Sequence, residues 1–237
     1  MLMVRQRTAL LKAPADNAQE IAAFDVEGTL TEGATWAGLR TYLEANGQGD
    51  LFKRFLRRKM PGIILFRLHL IRDERAFKER WVLDMLRLFA GYSDAQMAEV
   101  GRFVVERELW PKRRPSVVTE IEKQKENGRR VLLVTGVMEP VLAVLSEKLG
   151  VEAIGTPLQY ENGDFTGEVA APINTGIRKV EQLEPFARDG KIYAAYGDTA
   201  ADIPMLQMAR NPVAVFPDKK LSKIARSNDW RVLDLKT

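Results

Sequence analysis

Ile21-Ala22-Ala23-Phe24-Asp25-Val26-Glu27-Gly28-Thr29-Leu30-Thr31 holds the first strong structural signal of the chain. Its opening four residues are a bounded apolar run, the pattern of a short buried strand. A carboxylate follows at once, and Gly28 breaks the run just beyond Asp25. The next run of this kind, Val131-Leu132-Leu133-Val134, comes much later. From about 36 to 125 the periodicity is helical instead. Val82, Met85, Leu86 and Phe89 fall at i, i+3, i+4, i+7, one apolar helix face. Pro61-Gly62, Gly91 and Pro111 mark the expected breaks between helices.

After residue 130 strand and helix alternate. Val141 to Leu149 predicts a helix closed by Gly150, and Val151 to Ile154 a short strand. Residues 158–170 predict a hairpin that turns at Glu161-Asn162-Gly163-Asp164. Helix is expected at Ile177 to Ala187, strand at Ile192 to Tyr196, helix at Ala201 to Met208 and strand at Val213 to Phe216. A helix near 219–226 and a strand near Trp230 to Val232 close the pattern. Such alternation implies an α/β fold, a doubly wound, Rossmann-like parallel sheet with helices on both faces. The expected organisation is an α/β core of residues 1–31 and 112–237, with an inserted helical cap at 32–111.

Composition narrows the chemistry. The chain has 237 residues, 46% hydrophobic and 29% charged, as in an ordinary globular protein. Without cysteine, and with His69 as its one histidine, it offers no thiolate zinc site, no cysteine nucleophile and no His-rich metal site. Catalysis must rest on carboxylates, lysines, hydroxyls and a hard metal ion. Lys plus Arg number 36 against 32 Asp plus Glu, net +4, without the dense basic stripe of a nucleic-acid binder. The apolar piece Ala9-Leu10-Leu11 is shorter than the roughly 7–15 residues of a secretory signal, so a cytoplasmic location is expected.

Ligands of open parallel sheets bind at the carboxyl ends of the strands. Asp25, Thr135 and Asp198 each follow a predicted strand there. Two carboxylates on neighbouring strand ends form an oxygen-rich pocket suited to Mg²⁺. A carboxylate facing a phosphoryl group and Mg²⁺ is the arrangement for an aspartyl-phosphate intermediate. Glu27, two residues after Asp25, points the same way along an extended chain and is the candidate acid, then base.

Four motifs in order resemble those of the haloacid dehalogenase superfamily. Asp25-Val26-Glu27-Gly28-Thr29 looks like its DxDGT motif, and Thr135-Gly136 like its second. Lys179 in Gly176-Ile177-Arg178-Lys179 looks like the third, and Gly197-Asp198-Thr199-Ala200-Ala201-Asp202-Ile203-Pro204-Met205-Leu206 like GDxxxDxxML. Ile154-Gly155-Thr156-Pro157-Leu158 and Gly163-Asp164-Phe165-Thr166-Gly167 are similar to the phosphoserine-phosphatase-like branch. The resemblance implies Asp25 as nucleophile and Glu27 as general acid/base. Asp25, Asp198 and the main-chain carbonyl of Glu27 would ligate Mg²⁺, with Asp202 orienting the metal shell and Lys179. Thr135 and the Gly136 amide would hold phosphoryl oxygens, and Lys179 would neutralise nucleophile and phosphate.

Glu27 departs from the family's usual Asp. It carries the same chemistry one methylene further out and with more rotamer freedom. A slow phosphatase, a phosphate-binding protein without turnover, and phosphotransfer to an acceptor other than water all fit this departure. The expected substrate is a small phosphorylated metabolite. The branch's ammonium-holding Glu falls at Ala34, Glu32 lies two residues early, and Arg80 is a loose candidate for a substrate carboxylate. In the cap, Lys53, Arg54, Arg57 and Arg58 are expected on one side of a helix, with Phe52, Phe55, Leu56 and Met60 on the other. A solvated basic face is the plain reading. Peripheral contact with anionic lipid, and with it a phospholipid head-group substrate, is the sharper one. Trp36, Trp81 and Trp110 are expected in the cap core, and Glu79 and Asp84 as ordinary surface charges. Oligomeric state leaves no mark on the sequence.

Overall fold

A computed structural model describes residues 19–68, 70–71 and 73–234. His69 lies outside the described residues. Six strands form one all-parallel sheet in the order β3-β2-β1-β6-β7-β8. They are β1 (Ile21–Phe24), β2 (Arg130–Met138), β3 (Glu152–Thr156), β6 (Ile192–Gly197), β7 (Ala209–Val215) and β8 (Arg231–Leu233). The remaining two, β4 (Leu158–Glu161) and β5 (Asp164–Val169), pair as the expected hairpin. Asn162 and Gly163 turn it with φ of 54° and 94°, the left-handed pair that an Asn-Gly turn supplies.

The centre of the sheet is buried on both faces, and alternation along each strand decides which side chain goes where. Ala22 and Phe24 of β1, Val131 and Leu133 of β2, and Ala194 and Tyr196 of β6 face one apolar cluster. Ile21, Ala23, Leu132, Val134 and Ala195 face the other. Helices α5 (Pro115–Glu126) and α6 (Glu139–Leu149) contribute Val117, Ile121, Val141 and Leu145 to the first. Helices α7 (Ile177–Leu183), α8 (Ile203–Met208) and α9 (Lys219–Ser227) contribute Leu183, Leu206 and Leu221 to the second. Phe24 and Tyr196 stack 3.9 Å apart with planes 6° from parallel, fixing β1 against β6.

Four helices separate β1 from α5: α1 (Thr35–Ala45), α2 (Gly49–Arg67), α3 (Glu74–Leu86) and α4 (Asp94–Val104). Their Leu39, Leu43, Phe52 and Leu86, and Phe89 of the 3-10 turn that follows α3, join the same cluster as Phe24. The hairpin belongs with them spatially. Gly91 donates to the Phe165 carbonyl, and Phe165 donates back to Tyr92.

Several local expectations change. Pro61-Gly62 does not end a helix, because α2 runs through it to Arg67. Pro61 is exposed, so water can take the carbonyl that its missing N–H leaves free. Met60 is 42% exposed and lies on the basic side of α2, not with Phe52 and Phe55. Val82 is exposed while Met85, Leu86 and Phe89 are buried, so the predicted apolar face is real but one residue narrower. Trp36 is 45% exposed rather than in the core, whereas Trp81 and Trp110 pack against it. Asp84 is no ordinary surface charge: it pairs with both Lys59 and Arg87, and Arg87 goes on to Glu168 of β5.

Candidate active site

β1 lies between β2 and β6, at the switch point where the winding of the sheet reverses. The carboxyl ends of the three central strands therefore meet at one place, the usual ligand crevice of such sheets. Asp25 stands there, 6% exposed, its N–H donating to the Tyr196 carbonyl at 2.9 Å. Phe24 pairs with Leu133, which places Thr135 on the neighbouring strand just beyond the end of β1. Thr135 is buried, its Oγ1 accepting the Val137 N–H at 3.3 Å. Gly136 packs against the 173–175 loop: a Cβ there would sit 3.1 Å from the Thr175 methyl and 3.2 Å from that of Ile173.

Lys179 enters from α7 and is 3% exposed. Its Nζ donates to Asp25 Oδ1 at 2.5 Å and to Asp202 Oδ1 at 2.6 Å. Asp202 is itself fixed, because its Oδ2 accepts from the Thr199 N–H at 3.2 Å and the Thr199 hydroxyl at 3.1 Å. Burial disfavours the Lys179 ammonium, but Asp202 and Asp25 outweigh it and hold its pKa above the usual lysine range. Burial also pushes Asp25 up to about 6, against the pull of Lys179 and with the push of Asp202.

Asp198 completes the cluster. One carboxylate oxygen each from Asp25, Asp198 and Asp202 lie within 4.8 Å of one another. Lys179 engages two of these carboxylates, while Asp198 is reached by the Thr29 hydroxyl at 3.2 Å. Burial first, then the neighbouring Asp25 and Asp202, raise its pKa to about 8. A largely buried, all-oxygen set, in which no ion pair reaches Asp198 among the described residues, fits a hard divalent ion such as Mg²⁺. The fit extends to the backbone. Gly28 has φ +86°, and a Cβ on it would come within 2.0 Å of Asp198 Oδ2.

The sequence-predicted residues thus come together unequally. Asp25, Lys179, Asp202 and Asp198 form one cluster, with Thr135 and Gly136 alongside on β2. Glu27 sits at the rim. Its Oε1 accepts the N–H of Thr35, the first residue of α1. Protein crowded around this carboxyl raises its pKa, and the Thr35 N–H pulls it back. The carboxylate is therefore tied to a helix N-terminus instead of free among rotamers. The Glu27 carbonyl belongs to a turn closed by two other bonds, Thr31 N–H to Val26 O and Gly28 N–H to Thr31 O.

Three further contributors are not among the residues expected at the site: Thr29 and Asp218 have no assigned role, and Glu79 is expected only as a surface charge. Thr29 bridges the cluster, with its hydroxyl 3.3 Å from Asp25 Oδ2 and 3.2 Å from Asp198 Oδ1. Asp218 holds the loop after β6: its N–H donates to the Asp198 carbonyl at 2.8 Å, and its carboxylate accepts from Ala200 and Leu221. Glu79 of α3 accepts from the Thr175 hydroxyl at 2.8 Å, so it ties α3 to the loop beside Gly136. Thr29 was visible as the hydroxyl of the first motif. Asp218 and Glu79 had no signal beyond charge.

A family model described as haloacid dehalogenase-like hydrolase matches residues 22–207, which contain every residue of the cluster. The chain belongs to this family. A phosphoserine phosphatase of Halobacterium salinarum is 28% identical over 203 residues, 83% of this chain and 86% of that protein. A putative hydrolase of Mycobacterium leprae is 32% identical over 115 residues, 46% of this chain and 38% of that protein. The chain spans about half the length or less of several curated relatives it matches, 38% of one and 51% of two others. The crystal structure of a Bordetella pertussis Tohama I protein of unknown function shares the fold, with a TM-score of 0.74 at 22% identity over 91% of this chain and 98% of that one. Among the described residues no helix is long and apolar enough to cross a membrane.

Proposed function

We propose that the chain is a Mg²⁺-dependent phosphomonoester phosphatase working through an aspartyl-phosphate on Asp25. The observation that carries the reading is the buried Lys179 ammonium shared by Asp25 and Asp202, beside an Asp198 carboxylate that no ion pair reaches among the described residues. Asp25, Asp198 and the main-chain carbonyl of Glu27 would hold the metal, with Asp202 orienting its shell and Lys179. When bound, Mg²⁺ spreads phosphoryl charge and offsets its repulsion from the carboxylates.

In the first half-reaction a carboxylate oxygen of Asp25 attacks phosphorus, the phosphorus–ester oxygen bond breaks, and protonated Glu27 gives its proton to the leaving alkoxide. In the second, Glu27 takes a proton from the attacking water, the phosphorus–Asp25 bond breaks, and inorganic phosphate leaves. Lys179 neutralises Asp25 and the incoming phosphoryl oxygens, while Thr135 and the Gly136 amide orient them. The helical segment 32–111 serves as the substrate-selecting cap, with Glu79–Thr175 joining it to the rim of the site.

The substrate is a small phosphorylated metabolite. Phosphoserine itself is disfavoured by the cap: residue 34 is alanine, the Glu32 carboxylate is paired with Arg114 at 2.7 Å, and Arg80 is exposed. One observation favours a second reading, a phosphate-binding protein with little or no turnover, namely the attachment of Glu27 to the α1 N-terminus. Phosphate release from a panel of phosphomonoesters, with and without Mg²⁺, separates the two. Metal-dependent release that disappears in Asp25→Asn supports the phosphatase. Phosphate and metal binding without release supports the other.

A further inference from the structure

We propose that the outer end of α2, with the chain that turns back toward α3, docks on a bilayer carrying anionic phospholipids. Among the described residues nine large hydrophobics are exposed, and five of them gather here: Met60 at 42%, Ile64 at 50%, Leu65 at 46%, Leu68 at 61% and Leu70 at 65%. Contiguous exposed aliphatic surface of this kind marks an interaction site rather than ordinary scatter.

The charge pattern says what it meets. At about 100° per residue, Lys53, Arg54, Arg57 and Arg58 fall on the same arc of α2, roughly 160° wide, as Met60, Ile64, Leu65 and Leu68. Phe52 and Phe55 occupy the opposite arc and are buried. The outward arc is therefore basic in its first half and aliphatic in its second. The step from Arg57 to Leu68 is roughly 16 Å along the axis. That order matches the depth profile of a bilayer surface, with guanidinium groups at the phosphates and aliphatic side chains beyond them. A second copy of the chain is a poorer occupant. Two-fold pairing of this arc would set arginine against arginine, or charge against aliphatic surface. The exposed set at the tip is also free of aromatic side chains on which nucleic-acid bases would stack.

The surface is independent of the proposed phosphatase chemistry, and its test needs no substrate. Flotation of the full chain with phosphatidylcholine vesicles, with and without phosphatidylglycerol, would be measured at low and moderate salt. The expected result is flotation with the anionic vesicles, weakened by salt, and little with phosphatidylcholine alone. Both Arg57→Glu/Arg58→Glu and Ile64→Asp/Leu68→Asp should lower partitioning at least about tenfold. All four positions are at the surface, so an unchanged thermal midpoint would show that the variants remain folded. Absence of flotation at low salt, or flotation undiminished in both folded variants, would overturn the proposal. A wild-type dimer in light scattering that Ile64→Asp/Leu68→Asp converts to monomer, without vesicle binding, would assign the surface to self-association instead.

Discussion

The carboxylate of Glu27 is bound by the backbone N–H of Thr35, so the proposed proton carrier of the α/β core rests on the first turn of the helical segment. The longer side chain explains the contact, because an aspartate at this position would fall a methylene short. A helix N-terminus stabilises a carboxylate, typically by 0.3–1 kcal/mol at an exposed end. The bond restrains the carboxyl from which the proposed proton transfer would occur.

Shortening or releasing this side chain should therefore accelerate turnover. Glu27→Asp is expected to raise the phosphate-release rate by roughly three- to tenfold, the equivalent of about 0.7–1.4 kcal/mol, the net worth of one ordinary hydrogen bond. Thr35→Pro tests the same bond from the other side. Proline is accepted at the first helical position, and Ala34 already has the extended backbone (φ −128°, ψ 130°) that a following proline requires. Steady-state rates for both variants decide the matter: unchanged or lower values would show that the Thr35 bond does not restrain catalysis.

Lys179 should be as important to folding as to chemistry. Lys179→Met leaves Asp25 and Asp202 buried without their cation, a loss of about 3–5 kcal/mol in urea unfolding. The triple variant Lys179→Met/Asp25→Asn/Asp202→Asn removes the stranded charges and should recover most of that loss. Equal instability in the two proteins would mean that packing, not charge, is responsible.

Mg²⁺ should stabilise the folded chain. At about a hundred times its dissociation constant a ligand adds ~2.7 kcal/mol, which for a chain of this size raises the thermal midpoint by roughly 5–10 °C. Asp198→Asn should abolish the shift. So should Gly28→Ala, since a methyl group there would displace the Asp198 carboxylate. A full shift retained in Asp198→Asn would place the metal elsewhere.

Tyr196 gives a separate handle on pH. Its hydroxyl donates to Glu120 at 2.8 Å and accepts from Gln124 at 2.8 Å. Burial, then the Glu120 bond, raise its pKa above the usual tyrosine value of 10. A group with a raised folded-state pKa contributes stability that is complete below its unfolded value and lost above it. Stability should thus fall as pH rises beyond about 10, and less steeply in Tyr196→Phe. Glu120 acts at the other end. Arg231 is the main cause of its lowered pKa, so its contribution is present above the ordinary glutamate range and is lost on acidification. Urea midpoints of wild type and Tyr196→Phe across the alkaline range provide the comparison.

The sheet and the cluster were legible because their signals are local. Ile21–Phe24 reads as a buried strand with Asp25 directly after it, and Asp198 follows Ile192–Tyr196 after one glycine, whereas Lys179 and Asp202 were legible only through the motif resemblance. What escaped the sequence depends on partners distant along the chain. Met60 and Trp36 are apolar, but they lie on faces of α2 and α1 that leave them 42% and 45% exposed. Glu79 and Asp84 read as solvent charges until folding brings Thr175 and Lys59 to them. Pro61 signalled a break that an exposed helix face does not enforce.

The position of β1 between β2 and β6 also bears on how the protein is made. β1 is the first of these strands to leave the ribosome, yet its two neighbours begin at residues 130 and 192. Until they emerge, the fully buried run Ile21–Phe24 lacks both edge partners, and its Ile21–Ala23 face lacks the later helices that cover it. Nascent chains should therefore pass through a long interval in which their most apolar strand is available to chaperones, or to the strands of another chain. Conditions that slow translation between the helical segment and β6 should lower the soluble yield more than those that slow it after β8.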